Sequence, residues 1–265
     1  MASPFLNPPR RSHLLAYASL WLALSAFAQP TQQSSVPATR HPVLVELFTS
    51  EGCSDCPPAD TLLARLDSTQ FVASAQAIVL SEHVTYWNHL GWRDPFSFDA
   101  MSERQNRYST HFSLDSVYTP QMVVDGAQQF VGSDAAALSR AVASAASKPK
   151  LQIAIQNARL ADGTIHFSVK GIANAKTELV VALAEDATHS EVARGENAGR
   201  TLHHVSVVRT LKQLDSNAAD GRALQLSIPA LSDNNKASGP LRLVAFLADR
   251  QSGRVLGVAE QTISR

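Results

Sequence analysis

Cys53 and Cys56 are the residues of this sequence best suited to chemistry, and they are its only two cysteines. Cysteines at this spacing bring their sulfurs within bonding distance when they lie at the start of a helix. The unpaired N–H groups and the positive dipole end of such a helix favour thiolate over thiol at the first cysteine. We therefore expect a Cys53–Cys56 disulfide that exchanges with thiols, with Cys53 as the exposed nucleophile and Cys56 beneath it as the resolving thiol.

Two other roles for the cysteine pair stay open at this point. Thiolates suit Cu(I), and His83 follows a predicted strand at the end where sites gather, so Cys53, Cys56 and His83 are alternative ligands of a copper or metal carrier. The pair is otherwise a structural disulfide in a non-catalytic binding module. Thiol–disulfide exchange itself requires no cofactor, and none is expected.

The elements around the cysteines are those of a parallel α/β sheet. Residues 43–48 form a continuous apolar run, which is typical of a strand covered on both faces. Pro57 and Pro58 then suit the first turn of a helix, where a missing N–H is not needed. A second strand is predicted over residues 77–80, and residues 99–112 are predicted to form a polar helix with Arg104 exposed.

Thr119-Pro120 stands at the entry of a further strand. In thioredoxin folds this place holds a cis proline that faces the disulfide and leaves a backbone edge free for a substrate peptide. Asp125-Gly126 is a strong signal for a hairpin turn, and Ser133 is the predicted N-cap of a helix that ends near Ala146. The element order predicts a thioredoxin-like domain over residues 43–148.

Four more residues are candidates for supporting roles at the disulfide. Glu46 lies in the middle of an apolar strand, where burial would raise its pKa and let it pass protons to and from a buried thiol. A structural pairing of Glu46 with an arginine is the alternative. Tyr86, Trp87 and Trp92 are candidates to line a peptide groove together with Thr119, because rigid aromatic side chains recur at interfaces.

The pattern changes near residue 149. Alternating apolar residues then recur in short runs separated by the turn dipeptides Asp162-Gly163, Asp220-Gly221 and Ser252-Gly253. Residues 149–265 are therefore predicted to form a small all-β, sandwich-like domain after the α/β domain.

The amino terminus and the composition restrict location and partners. Arg10 and Arg11, an apolar run and Ala26-Phe27-Ala28 predict a signal peptide over residues 1–28, followed by a flexible leader over residues 29–42. We expect a bacterial protein that is exported to the periplasm or secreted, without a membrane span once the signal is removed. The 23 basic residues balance 23 acidic ones, which excludes electrostatic nucleic-acid binding. The expected partner is a protein or a small-molecule thiol or disulfide; the oligomeric state stays open.

The sequence around these motifs resembles the secreted bacterial family catalogued as domain of unknown function 1223. The resemblance spans about residues 43–262 and is carried by residues 45–60, 83–87, 90–96, 118–126, 194–200 and 204–209. It implies a thioredoxin-like fold and an exported protein. The family's pattern has aspartates at the positions of Thr85 and Asn88, so this chain lacks two carboxylates near the predicted site.

Overall fold

The computed structural model describes residues 1–2, 40–171, 176–227 and 240–263. The predicted signal peptide, apart from its first two residues, and most of the leader fall on residues 3–39, outside the described part. The chain divides into two compact units, Met1–Pro37 and Ala38–Arg265, and the account below concerns the second. None of the helices in the described ranges has the length and apolarity that a membrane crossing requires.

The second unit is a mixed α/β structure. Its strands are β1 His41–Thr49, β2 Ala75–His83, β3 Gln121–Val124, β4 Gln128–Val131, β5 Ala154–Ala161, β6 Thr164–Lys170, β7 Thr177–Glu185, β8 Thr188–Glu191, β9 Thr201–His204, β10 Val207–Asp215, β11 Leu224–Ser227, β12 Leu241–Asp249 and β13 Val255–Ile263. Its helices are α1 Pro57–Thr69, α2 Asp99–His111, α3 Ala135–Ala146 and the short α4 Ser216–Ala219.

Eight strands form one large sheet in the order β13-β12-β7-β10-β2-β1-β3-β4. β1 and β2 run parallel, and β10 joins β2 in parallel through Val207 and Ser81. The other neighbouring strands of this sheet are antiparallel. Residues 43–49 of β1 are all buried, as its continuous apolar run predicts for a strand covered on both faces.

Helices cover both faces of the sheet around β1. Val43, Val45 and Leu47 pack under α1 and α3 in one core. The intervening side chains of β1 point to the other face because side chains alternate along a strand. There Leu44 packs in a core with Met101 of α2, and Phe48 packs in a cluster with Tyr108 of α2.

Most of the strands after residue 149 form two packed layers, and β8 and β9 form a separate two-stranded sheet. β11, β6 and β5 make a three-stranded sheet whose apolar side chains pack on one face of β7 and β12. The opposite face of β7 and β12 is also buried, since Val180 and Phe246 share a core with Leu44 and Met101. Residues 241–247 are apolar at every position except Arg242, which agrees with the burial of both faces, and Met101 of α2 packs in the core on the second face.

The predicted division near residue 149 falls inside a continuous sheet. β10 from the later part pairs directly with β2 from the earlier part, and one buried core includes residues from both. Whether the two halves can fold separately stays a prediction.

Local turn and cap signals account for several element ends. Asp125 and Gly126 both have positive φ, 50° and 57°, in the turn that joins β3 to β4, as the Asp-Gly pair predicts. A Cβ at position 126 would overlap the carbonyl oxygen of Gly253, so this turn also needs glycine for close packing. The N-cap of α3 is Asp134 rather than Ser133, because the Asp134 carboxylate accepts the N–H of Ala137 at 2.8 Å.

Candidate functional site

The two cysteines form a disulfide in the turn between β1 and α1. Their Cα atoms are 5.5 Å apart. Cys56 is the N-cap of α1, and its carbonyl oxygen accepts the N–H groups of Ala59 at 2.8 Å and Asp60 at 3.1 Å. Pro57 and Pro58 fill the first two helical positions and have no N–H to leave unpaired. The predicted pairing and its position at a helix start are therefore present.

The prediction of an exposed Cys53 was wrong. Its exposed fraction is 2%, and that of Cys56 is 0%. The flanking Ser54 and Asp55 are exposed, so the turn reaches the surface while both cysteines remain beneath it. The sequence near the cysteines gave no sign of this burial because the covering residues come from more than 140 positions later in the chain.

Residues 192–200, here called the cover loop, close over the disulfide turn. The side-chain amide of Asn197 donates to the carbonyl oxygens of Glu51 and Cys53, both at 2.9 Å. The carboxylate of Glu196 accepts the N–H of Ser54 at 3.1 Å. Asn197 is itself 1% exposed, and its amide oxygen accepts a hydrogen bond from Arg200 at 2.8 Å. The cover loop is thus attached to the backbone of the disulfide turn on both sides of Cys53.

Trp87 and the Thr119–Pro120 segment lie on another side of the turn. The Trp87 indole N–H donates to the Thr119 hydroxyl at 2.8 Å. A Cβ at Gly52 would be 3.0 Å from the Cβ of Trp87, so the tryptophan lies directly against the residue before Cys53. The Thr119–Pro120 peptide bond is cis, and Pro120 is buried. Trp87 therefore connects the disulfide turn to the predicted substrate-binding segment.

Trp92 also lies at the disulfide turn, and Tyr86 does not. The Trp92 indole N–H donates to the Glu51 carboxylate at 2.8 Å. The Tyr86 hydroxyl donates instead to Gln105 of α2 at 3.1 Å, and its ring packs near Phe48. Burial raises the pKa of Tyr86 to about 12. Of the three predicted groove aromatics, two lie against the residues just before Cys53.

A buried group of charged side chains lies behind the disulfide turn and around the first turn of α1. His204 has its Nε2 3.3 Å from Glu51 and its Nδ1 3.8 Å from Asp60. Burial opposes a charge on the His204 imidazole, but Asp60 and then Glu51 outweigh it and raise the pKa to about 10. Glu51 also accepts hydrogen bonds from Trp92 and Ser190, and Asp60 accepts one from Thr49 at 3.0 Å. His204 therefore lies buried between two carboxylates that favour its protonated form.

His83 belongs to the same buried region, where it pairs with Asp94 rather than completing a metal site. Its Nδ1 is 2.7 Å from Asp94 Oδ2, and its ring is perpendicular to that of His204 at 4.6 Å between centroids. Burial raises the pKa of Asp94, but the neighbouring His83 outweighs it and the net shift is downward. Asp94 also accepts the N–H of Glu51 at 2.9 Å. Within the described ranges, His, Cys, Asp and Glu form no group of three or more able to hold a metal ion.

Glu46 does not face the cysteines. It points to the α2 side of the sheet, where it accepts hydrogen bonds from Arg104 and Tyr108, each at 2.6 Å. The proposed proton relay to a thiol was wrong, and the alternative pairing with an arginine is confirmed. Arg104 is 4% exposed, so its predicted exposure on α2 was also wrong.

Glu82 completes the buried charges on this face. One of its carboxylate oxygens is 3.5 Å from Arg104. Burial, and then the nearby charge of Glu46, raise the pKa of Glu82 well above its usual range. Two buried carboxylates therefore share one arginine on the side of the sheet away from the disulfide turn.

The described geometry can be compared with known proteins. A model of the family described as "Protein of unknown function (DUF1223)" matches residues 44–247, which include every side chain of the site. The chain belongs to the DUF1223 family. None of the curated proteins matches it.

Two solved structures are similar to this DUF1223 protein. An X-ray crystal structure of an Agrobacterium tumefaciens protein is 25% identical, with a TM-score of 0.59, and the match covers 82% of this chain and 92% of that one. HBP35 of Porphyromonas gingivalis is 11% identical, with a TM-score of 0.50, and the match covers 84% of this chain and 76% of that one. At this identity the second similarity concerns the fold alone.

Sequence reasoning missed several residues of the DUF1223 site. Glu51 and Asp94 each lie close in sequence to a predicted residue, yet nothing local marks them as partners of buried histidines. Asn197 and Arg200 belong to residues 194–200, a segment that carries the family resemblance but contains no predicted site residue. His204 is buried and His203 is exposed, because side chains alternate along β9.

Proposed function

We propose that this DUF1223 protein is an exported thioredoxin-like protein that exchanges thiols and disulfides through Cys53 and Cys56. The observation that carries the proposal is the disulfide at the N-cap of α1, with Trp87 packed against Gly52 and hydrogen-bonded to Thr119. This combination brings an oxidised cysteine pair next to a segment suited to hold a substrate. The substrate is a protein or a small thiol or disulfide, encountered in the periplasm or outside the cell.

The arrangement of the elements from β1 to α3 supports the thioredoxin-like part of the proposal. β1 lies between the parallel β2 and the antiparallel β3, and β4 follows at the edge. α1 and α3 cover one face of these strands, and α2 covers the other. The disulfide turn follows the carboxyl end of a parallel strand, the edge at which α/β folds gather their sites.

The proposed exchange begins from the disulfide form. A substrate thiolate attacks the sulfur of Cys53, a mixed disulfide forms, and Cys56 leaves as a thiolate that takes up a proton. A second substrate thiolate then attacks the mixed disulfide, which releases an oxidised substrate and leaves Cys53 reduced. The two cysteines gain two electrons and two protons, and the substrate loses the same number. The reverse sequence reduces a substrate disulfide.

Exchange at Cys53 requires the cover loop to move. An attacking sulfur must approach in line with the disulfide, and Cys53 is 2% exposed beneath hydrogen bonds from Asn197. We infer that the cover loop opens locally, because a few hydrogen bonds attach it to the disulfide turn. Seven of its nine residues are exposed, and only Val192 and Asn197 are buried.

The burial of both cysteines favours a second candidate function. A disulfide that reducing agents do not reach would stabilise the turn in a binding module without taking part in exchange. Such a disulfide has a reduction potential below about −300 mV, whereas exchanging pairs lie above that value. The two candidates therefore differ in a measurable quantity.

A redox titration against glutathione and dithiothreitol buffers distinguishes them. Exchange predicts a potential above about −300 mV, together with faster alkylation of Cys53 than of Cys56 in the reduced protein. It also predicts that Cys56→Ala accumulates a mixed disulfide with a model substrate, while the matched Cys53→Ala variant does not. A potential below −300 mV with no mixed disulfide in either variant would establish the structural role.

A further inference from the structure

A cleft of about 240 Å³ lies between the first turn of α1 and β9. Pro57, the residue after Cys56, lines one side of it, and Arg200 and His203 line the other. One wall of the cleft therefore begins at the residue that follows Cys56, and the other wall begins at Arg200, the last residue of the cover loop. Its size suits a fragment of a few heavy atoms rather than a drug-sized ligand, since such ligands occupy pockets of roughly 300 to 1,000 Å³.

The charges lining the cleft favour an anion. Arg200 is exposed, and no carboxylate forms an ion pair with it among the residues that the structure describes. The Asp60 carboxylate also borders the cleft, but it is 5% exposed and is held by Thr49 and His204. The unpaired positive charge of Arg200 is thus the dominant charge available to a ligand.

The Arg200 guanidinium has more N–H donors than its hydrogen bond to Asn197 uses. One of its terminal nitrogens donates to the Asn197 amide oxygen at 2.8 Å. A guanidinium carries five N–H donors in a planar fork, and this fork matches the two oxygens of a carboxylate. A ligand carboxylate bound to Arg200 would share that guanidinium with Asn197. Asn197 in turn donates a hydrogen bond to the carbonyl oxygen of Cys53.

We propose that this cleft binds the carboxylate of a small acidic thiol or disulfide, and that Arg200 determines this specificity. The inference rests on the proposed exchange function, and it names the class of substrate that the site prefers. Arg200 is the last residue of the cover loop and donates to Asn197 within it, so the substrate carboxylate binds beside the residue that must move for exchange.

Three disulfides that share a two-methylene spacer between the sulfur and the polar group test the specificity. The reduced protein is oxidised by 3,3′-dithiodipropionate, by 2-hydroxyethyl disulfide or by cystamine, which are anionic, neutral and cationic. In each reaction the two protein thiols become the Cys53–Cys56 disulfide, and the probe disulfide becomes two thiols. We expect the anionic probe to react about tenfold faster than the neutral one, since a charge-assisted hydrogen bond contributes about that factor. Equal rates for the two probes would overturn the proposal.

Variants then assign the preference to one side chain. Arg200→Gln is expected to reduce the anionic-to-neutral rate ratio to near one, and Arg200→Lys to keep part of it because the charge remains. The ratio is informative even if the cover loop opens more easily in these variants, because easier opening accelerates both probes. The matched control is Arg140→Gln, which removes the same charge from the exposed side of α3. A ratio that survives Arg200→Gln, or is lost equally in the control, would contradict the assignment.

A binding measurement separates this inference from the exchange function. The oxidised, isotope-labelled protein is titrated with propionate, and the amide signals of Thr61 and Leu202 beside the cleft are followed by NMR. Saturable shifts that disappear in Arg200→Gln support the site even if none of the three disulfides reacts, in which case only the exchange function fails. Absence of shifts in the wild-type protein would overturn the carboxylate site.

Discussion

Replacing Asn197 by alanine should accelerate reduction of the disulfide. The substitution removes two buried hydrogen bonds from the Asn197 amide, to the carbonyl oxygens of Glu51 and Cys53. Each such bond contributes about 1 kcal/mol net, so the closed position of the cover loop loses about 2 kcal/mol. The population of the open loop then rises about 30-fold. If reduction proceeds through that open state, its rate rises by the same factor.

The assay is the rate of reduction by excess dithiothreitol, followed by alkylation and mass spectrometry. Local opening exposes little surface, so the rate should depend only weakly on low concentrations of urea. Asn106→Ala is the matched control, because Asn106 is an exposed residue of α2. A rate unchanged in Asn197→Ala would refute the reasoning. So would an acceleration with the steep urea dependence of global unfolding, because the cover loop would then not be the barrier.

Three further predictions concern charged residues around the disulfide turn and behind the sheet. The pKa of His204 is raised to about 10 from an unfolded value near 6.5, so its stabilising effect is complete below pH 6.5 and is lost as the pH rises through 10. The wild-type unfolding free energy should therefore fall by a few kcal/mol more than that of His204→Gln over this range; parallel curves would contradict the ion pairs. Asp55→Asn removes an exposed negative charge between the cysteines, so the reduced thiolate is stabilised and the potential should rise by a few tens of millivolts. A potential equal to that of the wild type would show that solvent screens this charge. Glu46→Gln should lower the unfolding free energy by about 3 to 5 kcal/mol, measured by urea denaturation, because Arg104 stays buried with a weaker partner. The pH dependence of Cys53 alkylation should not change in that variant. A shift of this pH dependence would support the proton-relay role of Glu46 after all.

Features set by neighbouring residues could be predicted from the sequence. The Asp125-Gly126 turn, the start of α1 at Pro57 and the continuous burial of residues 43–49 all follow from conformational preferences or patterns a few residues long. The Cys53–Cys56 disulfide is equally local, because three positions separate the two cysteines. These preferences act over one turn or one strand, so they need no knowledge of the rest of the chain.

The direction and surroundings of the site residues required the tertiary structure. The alternation of side chains along β1 shows which neighbours share a face of the sheet with Glu46. Only the packing of α2 shows that this face lies away from the disulfide. β12 carries apolar residues on both faces, yet only the structure shows that α2 packs in the core with Val244 and Phe246. In both cases the element that covers the strand determines the surroundings of the side chain. The residue pattern of a single strand does not show which element that is.

The sequence by itself determined where an oxidised cysteine pair lies and which short elements surround it. The tertiary structure decided that Cys53 is covered, because Asn197 reaches it from 144 positions away. It likewise decided that β10 joins β2 and that His204 lies between Glu51 and Asp60. Contacts at such separations depend on how the whole sheet assembles, and the free energy that selects them is distributed over cores shared by both halves of the chain.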